Sequence, residues 1–208
     1  SIDINYYNMF NNFAEKGGFD NLLNSLENIT NYDLFAAVVE MIYNISTYMH
    51  YHYAKDYIKK FGSKALDVLK SFSKLEIRNF KRDKLESLVK KMKDMLQKVY
   101  LESDVNAIFD YFGIEFGLNC LKHSQVLDKK LLGLKVLSDT LYDATKGQAG
   151  NSVSISDRHV PSQILLNMVM SENIFDIVFG ISSHNQILQK SPDLLKSLFM
   201  GKVMSITD

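Results

Sequence analysis

Residues 82–101 read RDKLESLVKKMKDMLQKVYL, and this stretch decides the fold class. Leu85, Leu88, Val89, Met92, Met95, Leu96 and Val99 recur at steps of three and four. That spacing gathers side chains onto one face of an α-helix and holds over four turns. The same period runs through Phe19, Leu22, Leu23, Leu26 and Ile29, and through Val105, Ile108, Phe109, Phe112 and Phe116. It runs again through Leu127, Leu131, Leu134, Leu137 and Leu141.

Punctuation between these stretches agrees with helices. Two prolines and ten glycines are too few for an all-β chain of 208 residues, which needs frequent tight turns. Gly17-Gly18 reads as a helix stop, because glycine accepts the left-handed conformation that ends helices. Thr30 or Asn31 can cap the helix that follows, Gly62-Ser63 reads as a stop and then a cap, and Ser191-Pro192 as a cap and first helical residue. Helices are predicted near 3–16, 19–29, 32–50, 52–61, 63–74, 82–101, 104–122, 126–146, 160–171, 173–179 and 185–201. The one long connection, 147–158, is polar and lacks a core-forming pattern. Short and long helices pair at roughly 40–45 residues, the length of an armadillo or HEAT unit. A lone pair cannot bury its apolar face, so stacking completes the core and leaves a concave surface. The expected architecture is an all-α, armadillo/HEAT-like α-α superhelix of about ten or eleven helices, one helical-repeat segment over 1–208 with 147–158 as an exposed polar loop.

Lys plus Arg equals Asp plus Glu, 24 each, so no global charge draws the chain to nucleic acid or an anionic membrane. The balance is uneven along the chain, however. Lys55 to Lys98 holds fourteen basic and six acidic residues, and the remainder is acidic to match. Aromatic residues do not interleave with the basic ones as they would on a stacking platform for nucleic acid. No apolar run approaches the length of a membrane span, and Ser1-Ile2-Asp3 does not begin a signal peptide. A single cysteine, Cys120, fits a reducing compartment. The chain is read as a piece of something longer, in an intracellular setting, the cytoplasm or also the nucleus.

Candidate chemistry is sparse. His50 and His52 are two apart and point to different sides of a helix, so they do not share a metal. His123, His159 and His184 are isolated. Cys120 lies at the end of an apolar run in mid-helix, where a structural thiol fits better than a nucleophile. Asp56 and Glu76 show no spacing that implies a shared cleft, and Gly147 and Gly150 do not form a phosphate-cradling loop. The nine methionines fall on apolar helix faces and are read as core. No catalytic residue, metal site or cofactor is expected.

Three stretches carry a family resemblance. The first runs Leu118-Asn119-Cys120-Leu121-Lys122-His123-Ser124 and on to Lys130-Leu131-Leu132-Gly133-Leu134-Lys135-Val136-Leu137. The second is Val169-Met170-Ser171-Glu172-Asn173-Ile174-Phe175-Asp176-Ile177-Val178-Phe179-Gly180, followed by His184 and Ile187-Leu188-Gln189-Lys190. The third is Phe13-Ala14-Glu15-Lys16-Gly17-Gly18-Phe19-Asp20. Together they resemble the long N-terminal region of the giant, fat-facets-like ubiquitin-specific proteases. The resemblance implies an armadillo-like region upstream of a cysteine-protease domain. It carries over no catalytic residue, since Gly117-Leu118-Asn119-Cys120-Leu121 departs from the family's cysteine motif and the late histidine motif is absent. Pro192 and the polar loop after Gly147 also depart from it.

The expected function is therefore a non-catalytic scaffold that binds protein partners or substrates, with no nucleic acid and no membrane involved. The alternative is a stand-alone helical-repeat adaptor. Lys55 to Lys98 is the expected charged surface, and Arg78, Lys81 and Arg82 near a helix start are the expected contacts.

Overall fold

The computed structural model describes residues 4–48, 51–76 and 81–146. Among these residues the fold is all-helical with no strand: α1 (Ile4–Glu15), α2 (Gly18–Leu26), α3 (Tyr32–Tyr48), α4 (Tyr51–Lys74), α5 (Arg82–Leu96), α6 (Glu102–His123) and α7 (Leu127–Lys146). The three helices expected beyond residue 159, the cap at Ser191-Pro192 and the loop 147–158 lie outside the described residues.

The helix expected at 52–61 and the one expected at 63–74 are a single helix, α4. Gly62 does not stop it. A Cβ at Gly62 would lie 2.4 Å from Leu96 Cδ2, so the glycine lets α5 approach α4 within the core. Gly17 does act as a stop: its φ of 73° is the left-handed conformation, and its N–H donates to Ala14 O at the end of α1.

The chain divides into two compact units, Ser1–Phe72 with Ile77–Val105, and Ser73–Glu76 with Asn106–Asp208. In the first unit, Asn31 caps α3: the Leu34 N–H donates to Asn31 Oδ1 at 3.0 Å, and the Phe35 N–H donates to the Asn31 carbonyl. Asn31→Ala is expected to lower stability by about 1 kcal/mol, the usual worth of a side-chain cap, read as a fall in the urea midpoint. Helices α3 and α4 run antiparallel. Tyr32 and Phe35 at the start of α3 meet Phe72 near the end of α4, with ring centroids 5.9 and 5.4 Å apart. Helices α4 and α5 are antiparallel too, because Gly62 meets Leu96 while the earlier Lys59 lies over the later Tyr100 ring. Leu26, Phe35, Val39, Leu69, Phe72 and Met92 form the centre of this core. Met95 is buried as expected, but Met9 and Met41 are exposed, so the methionines are not uniformly core.

In the second unit α6 and α7 cross closely. A Cβ on Gly117 would lie 2.8 Å from the Gly133 carbonyl oxygen, and one on Gly133 would lie 2.5 Å from Cys120 Cβ. Ile114, Phe116, Cys120, Leu134 and Leu137 are buried around that crossing. Helix α6 is buried on almost every side from Phe112 to Leu121, with Glu115 its one exposed position there.

Candidate functional site

The basic segment is the natural place to look for a partner surface, and the structure shows where its charge goes. Along α5, Lys84 and Lys91 are seven residues apart, two helical turns, and Lys98 follows at the same step. On α3, Asp33 and Glu40 keep the same interval. Lys84 Nζ donates to Asp33 Oδ1 at 3.2 Å and Lys91 Nζ to Glu40 Oε2 at 2.5 Å. Both pairs join residues 51 apart in sequence, so α3 and α5 run parallel and in register. Lys98 continues the row over the Tyr43 ring, 6.0 Å from its centroid.

Elsewhere Lys64 pairs with Glu27 at 2.7 Å, Lys70 with Asp67 at 3.0 Å, and Lys59 lies 5.0 Å from the Tyr100 centroid. Each of these ion pairs is open to solvent, so each adds less than about 1 kcal/mol. Three lysines of this segment, Lys64, Lys84 and Lys91, are thus matched to carboxylates of the α2 C-cap and of α3. Part of the uneven charge along the sequence is therefore used in pairing helices within the first unit.

Of the three expected contact residues, Arg78 lies outside the described residues. Lys81 is the N-cap of α5, extended at φ −98° and ψ 143°, exposed, and without a side-chain cap bond. Its carbonyl accepts the Leu85 N–H. Arg82 is the first residue of α5. Because α3 and α5 are parallel, Lys81 sits at the same end of the pair as the Asn31 cap, next to the Asp33–Lys84 link.

A second polar cluster joins two corners of the second unit. Glu76 Oε1 accepts the Ser124 hydroxyl at 2.8 Å and the Gln125 N–H at 2.6 Å. Ser124 Oγ in turn accepts the Val126 N–H at 3.1 Å. Lys129, only 6% exposed, donates to the Leu75 carbonyl just past the end of α4. The Gln125 backbone bond holds the Glu76 carboxyl below its ordinary value against the opposing effect of burial, with help from Ser124 and Lys129. This carboxylate is more stable ionised in the folded state. Its contribution is therefore full above the ordinary carboxyl value of 4.5 and is lost as pH falls through the lower folded value. The melting temperature of the native chain should exceed that of Glu76→Gln at neutral pH, and the gap should close on acidification.

Cys120 lies close to this cluster. Burial first, and Glu76 after it, push its thiol up to about 12 against the pull of Lys129. A thiol that is fully buried and protonated is not a nucleophile at neutral pH. Ellman's reagent should leave the folded chain unlabelled and titrate one thiol in urea.

The sequence reading gave Glu76 no partner and did not single out Lys129, and no local spacing reveals them: their partners lie 48 to 54 residues away. His123 is exposed, while His50, His159 and His184 lie outside the described residues. Among the described residues no three His, Cys, Asp or Glu side chains gather to hold a metal ion, and no helix is long and apolar enough to cross a membrane. No protein-family model, curated protein or solved structure matches the chain.

Proposed function

We propose that the chain is a non-catalytic scaffold segment that binds protein partners or substrates within a large, fat-facets-like deubiquitinating enzyme of the cytoplasm. The observation that carries the scaffold half of this reading is the order of α3, α4 and α5. Next-nearest helices run parallel and in register while the helix between them runs antiparallel, as in a stack of helical repeats. An armadillo/HEAT-like superhelix of about ten helices, with α4 counted as one, would extend that order along the chain. The deubiquitinase half rests on the sequence resemblance. Its motif residues have packing duties in this fold: Gly117 and Gly133 at a helix crossing, Ser124 at a corner, Gly17 at a helix end.

Partner choice falls to the start of α5, where Lys81 and Arg82 head an N-terminus without a side-chain cap and Arg78 precedes it in sequence. Positive side chains there add to the positive end of the helix dipole and favour acidic partner segments. The test is a cytosolic pull-down with the 208-residue chain and with a variant carrying Arg78→Glu, Lys81→Glu and Arg82→Glu. Loss of a partner with the variant is expected, and unchanged recovery removes these residues from the docking site. The complete coding sequence decides the parent. Cysteine and histidine boxes of a protease are expected downstream, and their absence would leave the stand-alone adaptor.

A further inference from the structure

Past Phe72 the chain leaves the apolar core. Ser73–Glu76 belongs to the second unit, the one piece of the chain before Asn106 that does. This short segment buries no apolar side chain: Ser73 is buried, and Lys74, Leu75 and Glu76 are exposed. Polar bonds tie it to the corner between α6 and α7. Glu76 Oε1 accepts the Ser124 hydroxyl and the Gln125 N–H, and the Leu75 carbonyl accepts from the Lys129 ammonium.

The groups at this corner are not those of an ordinary interior. Among the described residues four polar or charged side chains are buried, and three of them, Ser73, Ser124 and Lys129, belong to the segment or to its anchors. Cys120, with no exposed surface, completes the group. Ser124 is one turn beyond it on α6 and donates its N–H to the Cys120 carbonyl. Lys129 is one turn before Gly133 on α7, and a Cβ on Gly133 would lie 2.5 Å from Cys120 Cβ. Cys120 is therefore about one helical turn from each anchor, and the charges of Glu76 and Lys129 both reach its thiol.

A segment opens at low cost where it has few buried apolar contacts and its hydrogen bonds lie near solvent. The α6–α7 crossing is the opposite case, with Ile114, Phe116, Leu134 and Leu137 buried around it. We infer that Ser73–Glu76 is a detachable strap, which leaves the α6–α7 corner while both helices stay folded and so controls solvent access to Ser124, Lys129 and Cys120. Closed, the strap accepts hydrogen bonds from both buried anchors. Open, it presents a hydroxyl, an amine and a thiol together, groups that covalent modification reaches in that state alone. The inference does not depend on the scaffold reading.

Cys120 reports the opening, being the one cysteine of the chain. The 208-residue chain is held in excess Ellman's reagent for hours, rather than the minutes of a thiol titration, at a series of urea concentrations below unfolding. In each exchange the Cys120 sulfur forms a mixed disulfide, its proton goes to solvent and one thionitrobenzoate leaves. Strap opening exposes little surface, so the labelling rate should be nearly flat in dilute urea and turn steep only near the transition, whose slope circular dichroism gives. Glu76→Gln keeps the shape of the side chain and removes its charge. It should raise the flat rate about tenfold, the worth of a charge-assisted hydrogen bond. Hydrogen exchange at the Leu121 amide, inside α6, should give an opening constant at least about tenfold smaller than Cys120 labelling does.

A labelling rate as steep in urea as global unfolding, from zero urea upward, overturns the inference, because the thiol then waits for the helices to unfold. An unchanged flat rate in Glu76→Gln overturns it too, since the reagent would reach the thiol by another route. So do equal opening constants at Cys120 and Leu121, which would place the opening in α6 rather than in the strap.

Discussion

Gly117→Val is expected to destabilise the second unit by about 3 kcal/mol, the top of the usual range for overpacking. A Cβ at 117 would lie 2.8 Å from the Gly133 carbonyl oxygen, 2.9 Å from Leu137 Cβ and 3.1 Å from the Leu137 nitrogen. Two of those three atoms are backbone, so rotamer changes cannot relieve the clash and α6 and α7 must move apart. That movement would open contacts around Ile114, Phe116 and Leu137, which are fully buried. Gly117→Ala makes the sharper test of sign. Alanine gains roughly 1 kcal/mol over glycine in a helix interior, yet the variant should still lose stability, because the first added carbon already overlaps the backbone. His123→Ala, an exposed change at the end of the same helix, should stay within about 0.5 kcal/mol. Urea denaturation followed by circular dichroism measures all three, with the slope constant and the midpoint shifted.

Phe72→Ala should cost about 3–5 kcal/mol, as for a fully buried ring replaced by a methyl group. Phe72 has no exposed surface, and its ring meets the edges of Tyr32 and Phe35, which fix the start of α3 against the end of α4. Removing it leaves a cavity at the point where two antiparallel helices are held. Phe35→Ala should cost a similar amount, and the double variant should cost less than the sum by about 0.5–1.5 kcal/mol, the worth of an aromatic pair. Strict additivity would mean that the two rings serve separate parts of the core.

The sequence made the helices legible, and the cores of the individual helices nearly so. Of the residues picked out on α5, Leu85, Leu88, Met92, Met95 and Leu96 are buried and Val89 and Val99 are half-buried. Gly17 and Asn31 were readable because the chemistry of a stop or a cap is local. Gly62 misled for the opposite reason. Its role is set by Leu96, 34 positions away, and a glycine used for close approach looks the same in sequence as one that ends a helix. On α7 the stripe from Leu127 to Leu141 gave the right helix but an incomplete inside: Leu132 and Lys129 are buried while Leu127 and Leu131 are half-buried. A helix covered on more than one side has no single apolar face to read. For the candidate site, the heptad of Lys84, Lys91 and Lys98 was visible in the sequence, but the carboxylates that meet the first two were not.

That row of lysines has a consequence for uniqueness rather than cohesion. The individual links are weak and wet, so deleting one should barely change the melting point. Sliding α5 along α3 by a turn, however, would part both carboxylate–lysine couples together. The two helices therefore carry graduations that permit one alignment, much as a vernier does. Loss of the row should surface as conformational mixture, with doubled or broadened amide resonances in a chain that still melts near its original temperature.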